Sequence, residues 1–187
     1  SDEKYYIVST SDHTSSEVHF FNVKEINIKP KLFKKRQKEI RYSIDSWNGN
    51  FFIHTNLDAE DFKICMCKHD SIQNWKDYIP ATKGVLIGGF NLLNEWMIRS
   101  EVRDALSKLY VRNLNIDSEE ELIITEEKVI SSGASLMQKD RNTNKIYVAY
   151  HSPRTPGYIY IYDILTKEKK LVKEEIVPSG HNPEDYI

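Results

Sequence analysis

Four segments of the chain have nearly the same sequence pattern, a short apolar run followed by polar residues, at nearly the same spacing. Their first residues lie 46, 45 and 50 positions apart. The segments are YYIVSTS (5–11), FFIHTN (51–56), WMIRSE (96–101) and IYVAYHS (146–152). Short runs rich in aromatic and β-branched residues are typical of β-strands. Each segment is followed by a second strand-like run, at 18–23, 62–67, 109–114 and 158–163.

This period constrains the architecture more than any other feature. A repeat of about 40–50 residues made of short strands predicts the blades of a β-propeller. Eleven Tyr, seven Phe and three Trp also favour pleated sheet surfaces over helices. We therefore expect an all-β, partial β-propeller of about four blades, each a four-stranded antiparallel sheet, with the first blade one strand short. The expected blades are 1–38, 39–83, 84–127 and 128–174, followed by a connector at 175–187.

Turn signals place the remaining strands. Asn48-Gly49, between two strand-like runs, predicts a tight hairpin because both residues tolerate positive φ. The fourth strands are expected at 75–79, 122–125 and 170–173, although Trp75, Tyr78 and Ile79 also fit one face of a short helix. Gly88-Gly89 lies in a predicted first strand, and because glycine has no side chain, we expect backbones to approach closely there.

Composition excludes several classes of protein. The net charge of −2 gives no general attraction to nucleic acid or to anionic membranes, and no apolar run reaches 18 residues. Residues 1–20 lack the pattern of a signal peptide. Cys65 and Cys67 are poorly placed to bond to each other, so we expect reduced thiols and a cytoplasmic setting.

Three groups of residues invite a chemical interpretation. Cys65, Cys67 and His69 offer two thiols and an imidazole on one strand, but zinc normally takes four ligands, so packing is the favoured interpretation. The Ser-rich segment 131–135 lacks the second glycine of a nucleophile elbow, since Met137 stands there. The histidines have no evident acid–base partner: His13, His19, His54, His69, His151 and His181. We assign no catalytic, cofactor-binding or metal-binding residue.

Two charged segments stand out. Residues 29–41 carry seven basic side chains, and residues 117–127 carry six acidic ones. The basic segment lacks the interleaved aromatic residues that stack nucleic-acid bases, so a solvated face is the favoured interpretation for both. A further hypothesis is that acidic loop residues attract basic peptides, so that charge reversal of Glu119, Glu120 and Glu121 would raise the Michaelis constant of a full-length enzyme.

Several segments resemble one enzyme family in order along the chain. Residues 9–21, 42–63 and 155–163 resemble propeller segments of the oligopeptidase B (protease II) family, within the prolyl oligopeptidase group of serine peptidases. The tail EIVPSGHNPEDY at 175–186 resembles the segment where the propeller passes into the peptidase domain.

The resemblance implies a seven-bladed propeller that caps an α/β-hydrolase domain and admits only short peptides, which the family cleaves after Arg or Lys. No family catalytic residue maps onto this chain, so the chain alone is expected to be inactive, with the peptidase domain as its partner. The first strands, near 42–47, 85–93 and 129–137, are expected to line the channel.

Two other classes remain open on sequence alone. One is a stand-alone interaction propeller, although the Gly-His and Trp-Asp pairs of that scaffold are absent. The other is a ligand-binding β-sandwich, for which a regular period is the wrong signal. Because a partial propeller has open blade faces, we expect the isolated chain to self-associate.

Overall fold

A computed structural model describes residues 2–25, 29–93, 95–127, 131–136 and 141–186 of the chain. The described residues form fifteen strands and one helical turn, Pro183–Asp185, and no helix among them could cross a membrane. The strands are β1 Tyr5–Ser11, β2 Ser16–Asn22, β3 Lys31–Lys34, β4 Tyr42–Trp47, β5 Asn50–Thr55, β6 Lys63–Lys68, β7 Lys76–Ile79, β8 Val85–Leu92, β9 Trp96–Arg103, β10 Leu106–Asn113, β11 Ser118–Glu121, β12 Ser131–Leu136, β13 Lys145–His151, β14 Tyr158–Asp163 and β15 Lys169–Glu174.

These strands form four separate sheets with sequential strand order. In the described part of the chain, the first sheet has three strands (β1–β3), and the second (β4–β7), third (β8–β11) and fourth (β12–β15) have four each. All pairs with a defined register are antiparallel. The all-β prediction of small sheets in series, the first one strand short, is confirmed.

The second sheet shows how the sequence sets the register. Asn48 and Gly49 have φ of 45° and 80°, and Trp47 pairs with Asn50, so the two residues form the predicted hairpin turn. Lys76–Ile79 form the strand β7, so the helix that this segment also fitted is not present there.

One predicted strand is wrong. Residues 122–125 are not a strand; the fourth strand of the third sheet is Ser118–Glu121, which pairs with β10. Leu122 and Ile124 are instead buried in a core cluster. The outer strand is polar because it lies at an exposed sheet edge, whereas Leu122 and Ile124 of the connecting segment are covered.

The chain divides into two compact units. Unit 1, Ser1–Ile87, contains the first two sheets, whose facing sides share a core of buried residues. That core comprises Val18, Phe20, Phe33, Tyr42, Ile44, Phe51, Ile53, Cys65 and Cys67. Ser16 ties the sheets together, because its hydroxyl donates to the Tyr42 carbonyl at 2.8 Å and accepts from the Tyr42 amide at 2.6 Å.

Unit 2, Gly88–Ile187, contains the last two sheets, and β8 crosses the boundary between the units. Its core is mainly aliphatic and includes Ile98, Leu109, Val111, Ile146, Val148 and Ile164. At Gly88 a Cβ atom would lie 2.8 Å from Ser100 Oγ. The close approach predicted for this glycine therefore involves a neighbouring side chain.

Candidate functional site

The Ser-rich segment 131–135, considered for nucleophilic chemistry, lies in an ordinary strand. Residues 131–136 form β12, which pairs along its length with β13, so Ser132 lies in a sheet and not on a strand-to-helix turn. Residues 129, 130 and 137 of the predicted strand lie outside the described residues.

The two cysteines are buried core residues of β6. Cys65 Sγ donates to Asp77 Oδ1 at 3.4 Å. Burial raises the pKa of Cys65 to about 12 and that of Cys67 to about 11, so both thiols stay protonated near neutral pH. Within the described ranges, no three His, Cys, Asp or Glu residues converge as metal ligands.

Most of the six histidines lie apart from one another. His54 stacks on Phe62, with ring centroids 4.6 Å apart, and its Nε2 donates to the Ile87 carbonyl at 2.8 Å. Burial lowers the pKa of His54. His13 and His151 are exposed, and His181 Nε2 donates to the Arg154 carbonyl at 2.6 Å.

A polar cluster in unit 1 joins residues that the sequence did not connect. His69 Nδ1 lies 3.2 Å from Tyr5 Oη, and His69 Nε2 lies 3.1 Å from Ser46 Oγ, which also donates to Asp2 Oδ1 at 2.7 Å. Burial lowers the pKa of His69 and raises that of Tyr5. The four residues are up to 67 positions apart in sequence, and strand pairing together with sheet packing brings them together.

This cluster is unsuited to nucleophilic catalysis. In a catalytic triad the acid orients the histidine, whereas here Asp2 contacts the serine. Ser46 is only 1% exposed and cannot reach a substrate. A cavity of about 400 Å³ lies beside the cluster, lined by Tyr5, Phe20, Asn22, His69 and Ile72 among others. The arrangement acts as a polar tie between the first two sheets.

Three of the basic side chains of segment 29–41 make contacts within the fold. Arg36 donates to Asp12 Oδ2 at 2.8 Å and to the Thr10 carbonyl at 3.1 Å. Lys34 lies over the Trp75 ring and Arg41 over the Phe62 ring, 4.4 and 4.9 Å from the centroids. The backbone amide of Thr14 and the Ser15 hydroxyl hold the pKa of Asp12 well below its usual range.

Three of the six acidic residues of segment 117–127 lie in the strand β11 and not in a loop. Glu119 accepts from Arg99 at 2.8 Å, Glu120 from Lys167 at 2.7 Å and Glu121 from Lys108 at 2.9 Å. These carboxylates are engaged in ion pairs, so the structure gives no support to their attracting peptides as free loop charges.

Arg99 and Glu101 form a buried ion pair in β9, next to Glu119 of β11. Arg99, 5% exposed, donates to Glu101, 4% exposed, and stacks over the Tyr110 ring at 4.4 Å. Glu101 also lies 3.5 Å from Arg103 Nη2. The buried Glu101 carboxylate thus contacts both Arg99 and Arg103, and Arg99 also contacts Glu119.

Small antiparallel sheets in series, one of three strands and three of four in the described part of the chain, are the architecture of β-propeller blades. A family model, the prolyl oligopeptidase N-terminal β-propeller domain, matches residues 1–175. The chain belongs to this family.

Similar proteins support the assignment. A dipeptidyl aminopeptidase BI of Pseudoxanthomonas mexicana is 26% identical over the whole chain, and Protease 2 of Moraxella lacunata is 21% identical over 91% of it. The chain spans only about a quarter of these relatives, 25% and 24% of their length. An oligopeptidase B from Trypanosoma brucei, with covalently bound antipain, superposes on the whole chain with a TM-score of 0.89 at 23% identity, over 28% of that chain.

An oligopeptidase B from Leishmania major has the same fold, with a TM-score of 0.84 at 15% identity over 98% of this chain and 27% of its own. The predicted resemblance and the partial β-propeller fold are therefore confirmed. The chain matches only about a quarter of each of these peptidases.

Proposed function

We propose that the chain is the cap of an oligopeptidase B-like serine peptidase, which cleaves short peptides after Arg or Lys with a Ser-Asp-His triad in another part of the polypeptide. The observation that carries the proposal is the propeller-domain match over residues 1–175, in a chain that spans a quarter of its relatives. The names Protease 2 and oligopeptidase B favour this branch of the family. Closing such a cap over the peptidase domain would exclude bulk water and folded chains.

The proposed organisation has blades at 1–38, 39–83, 84–127 and 128–174 and a connector at 175–187 toward the peptidase domain. The sheets support it, since they occupy 5–34, 42–79, 85–121 and 131–174. In this arrangement β4, β8 and β12 line the channel. The thiols of Cys65 and Cys67 are buried and form no disulfide, which is in keeping with a cytoplasmic setting.

The experiment compares the full-length protein with the 187-residue chain. We expect the full-length protein to hydrolyse short peptides after Arg or Lys with a kcat/KM at least about 100-fold above that for cleavage after Pro or for release of N-terminal dipeptides. The chain alone should release no product. A preference for Pro or dipeptide release would overturn the proposed specificity, and a full-length protein without hydrolase activity would favour an interaction propeller.

We also propose that the isolated chain self-associates through open sheet faces. Tyr6 and Val8 are 57% and 48% exposed on β1, and Tyr6 stacks on Phe21 with centroids 5.0 Å apart. Contiguous apolar faces of this kind are usually covered. Sedimentation velocity across micromolar concentrations should show dimers or larger species, and Tyr6→Ser with Val8→Ser should reduce them. A strictly monomeric wild-type chain would contradict the proposal.

A further inference from the structure

The tail of unit 2 folds back onto the loop between β13 and β14. The loop of residues 152–157 is anchored by hydrogen bonds to the Ser152 hydroxyl and the Glu127 carboxylate. Ser152 Oγ accepts from the amides of Arg154 and Thr155 at 3.1 and 2.9 Å. Both hydroxyls, of Ser152 and Thr155, donate to the Glu127 carboxylate, and these bonds lower the pKa of Glu127.

The tail contacts both ends of this loop. At the Gly157 end, the Glu175 amide donates to the Gly157 carbonyl at 2.8 Å, and the Gly157 amide donates to Glu175 Oε2 at 3.2 Å. At the other end, Arg154 Nε donates to the Pro183 carbonyl at 3.2 Å, and Arg154 Nη2 donates to Glu184 Oε1 at 3.1 Å. His181 Nε2 donates in return to the Arg154 carbonyl.

The tail is also ordered by its own contacts. The Gly180 amide donates to the Val177 carbonyl at 2.9 Å, and Gly180 has φ of 86°, which reverses the chain. Asn182 caps the helical turn Pro183–Asp185. His181 stacks on Tyr186 with centroids 4.9 Å apart. Because these contacts lie within the segment itself, they reduce the conformational entropy that the segment loses on docking.

We propose that residues 177–186 form a docked strap, and that Arg154 is the positioning residue that fixes the strap on the loop of residues 152–157. Arg154 is suited to this role because its planar guanidinium directs Nε at a carbonyl and Nη2 at a carboxylate in a fixed geometry, which the single nitrogen of a lysine does not reproduce. Resting on the proposed function, the strap sets the direction in which the polypeptide leaves the last sheet toward the peptidase domain.

Hydrogen exchange of the 187-residue chain tests the strap without any assay of hydrolysis. In Arg154→Ala, amides of the strap that are protected in the wild-type chain, such as Gly180 and Asp185, should exchange about three- to tenfold faster. Amides of β13 and β14 should exchange at the wild-type rate. Arg154→Lys should give an intermediate effect, because one contact remains.

The matched control is Arg103→Ala, which removes another half-exposed arginine of unit 2 far from the strap in sequence. It should leave strap exchange unchanged. Unchanged strap exchange in Arg154→Ala, or equal acceleration in both variants, would overturn the proposal. Because neither result depends on peptidase activity, failure of the strap and failure of the proposed function remain distinguishable.

Discussion

Units 1 and 2 are each built on two antiparallel sheets, of three and four strands in unit 1 and of four strands each in unit 2, and their interiors differ. In unit 1 the sheets meet through aromatic rings: Phe51 lies 5.1 Å from Phe20 and 5.2 Å from Phe33, both at steep interplanar angles. In unit 2 the buried cluster consists mainly of Ile, Val and Leu side chains together with Tyr150 and Tyr162, and the charged groups form the network around Arg99. The strand period thus fixes the sheets, whereas the choice of side chains sets how each interior responds to mutation and pH.

The largest expected effect concerns the aromatic core of unit 1. Phe51→Ala removes a ring that is 0% exposed and contacts Tyr5, Phe20 and Phe33. We expect it to lower the free energy of unfolding by about 3–5 kcal/mol. Denaturant titration measures this loss. The exposed Ile123→Ala in unit 2 should change stability by less than about 0.5 kcal/mol, and equal effects of the two variants would refute the assignment of Phe51 to the core.

The second prediction concerns the ion network of unit 2. Arg99→Met leaves Glu101 buried without its main cation and should cost about 3 kcal/mol. The double variant Arg99→Met with Glu101→Met buries no charge and should recover much of that loss. If the double variant were no more stable than Arg99→Met, the cost would arise from packing and not from an unpaired charge.

The smallest expected effect is an acid sensitivity of unit 1. Burial holds the pKa of His54 and His69 below the ordinary value of about 6.5. As the pH falls, the unfolded chain therefore takes up protons before the folded chain does, and the free energy of unfolding declines below about pH 6.5.

Unfolding titrations at pH 7.5, 6.5 and 5.5 measure this decline. The double variant His54→Gln with His69→Gln should be less stable at pH 7.5 but should lose less stability on acidification. An identical slope in both proteins would show that other groups account for the acid sensitivity.

The sequence predicts those parts of the fold that depend on local pattern. Repeated runs of aromatic and β-branched residues located the middle strands, and Asn48-Gly49 located a hairpin, because a tight turn requires positive φ at neighbouring positions. The strand expected at 122–125 was wrong because hydrophobicity reports burial and not strand pairing. Leu122 is buried in the connection between sheets, while the exposed edge strand before it consists of Ser and Glu.

The polar cluster around His69 could not be predicted in the same way. Its hydrogen bonds join Tyr5 to His69 and Ser46 to Asp2 across separations of 64 and 44 residues. Such contacts require both the register within each sheet and the packing between sheets, which a single sequence does not specify. The ion pairs of Glu119 were hidden for the same reason, since Arg112 faces it only through antiparallel pairing.

The charged outer strands have a consequence for how the molecule can aggregate. All four residues of β11 and all six of β15 are exposed, and their sequences, SEEE and KKLVKE, are rich in charge. A foreign strand that added to either rim would have to bring its own side chains alongside these charges and strip them of water. Growth by lateral strand addition, the route to amyloid-like fibres, is therefore disfavoured at these two margins of unit 2.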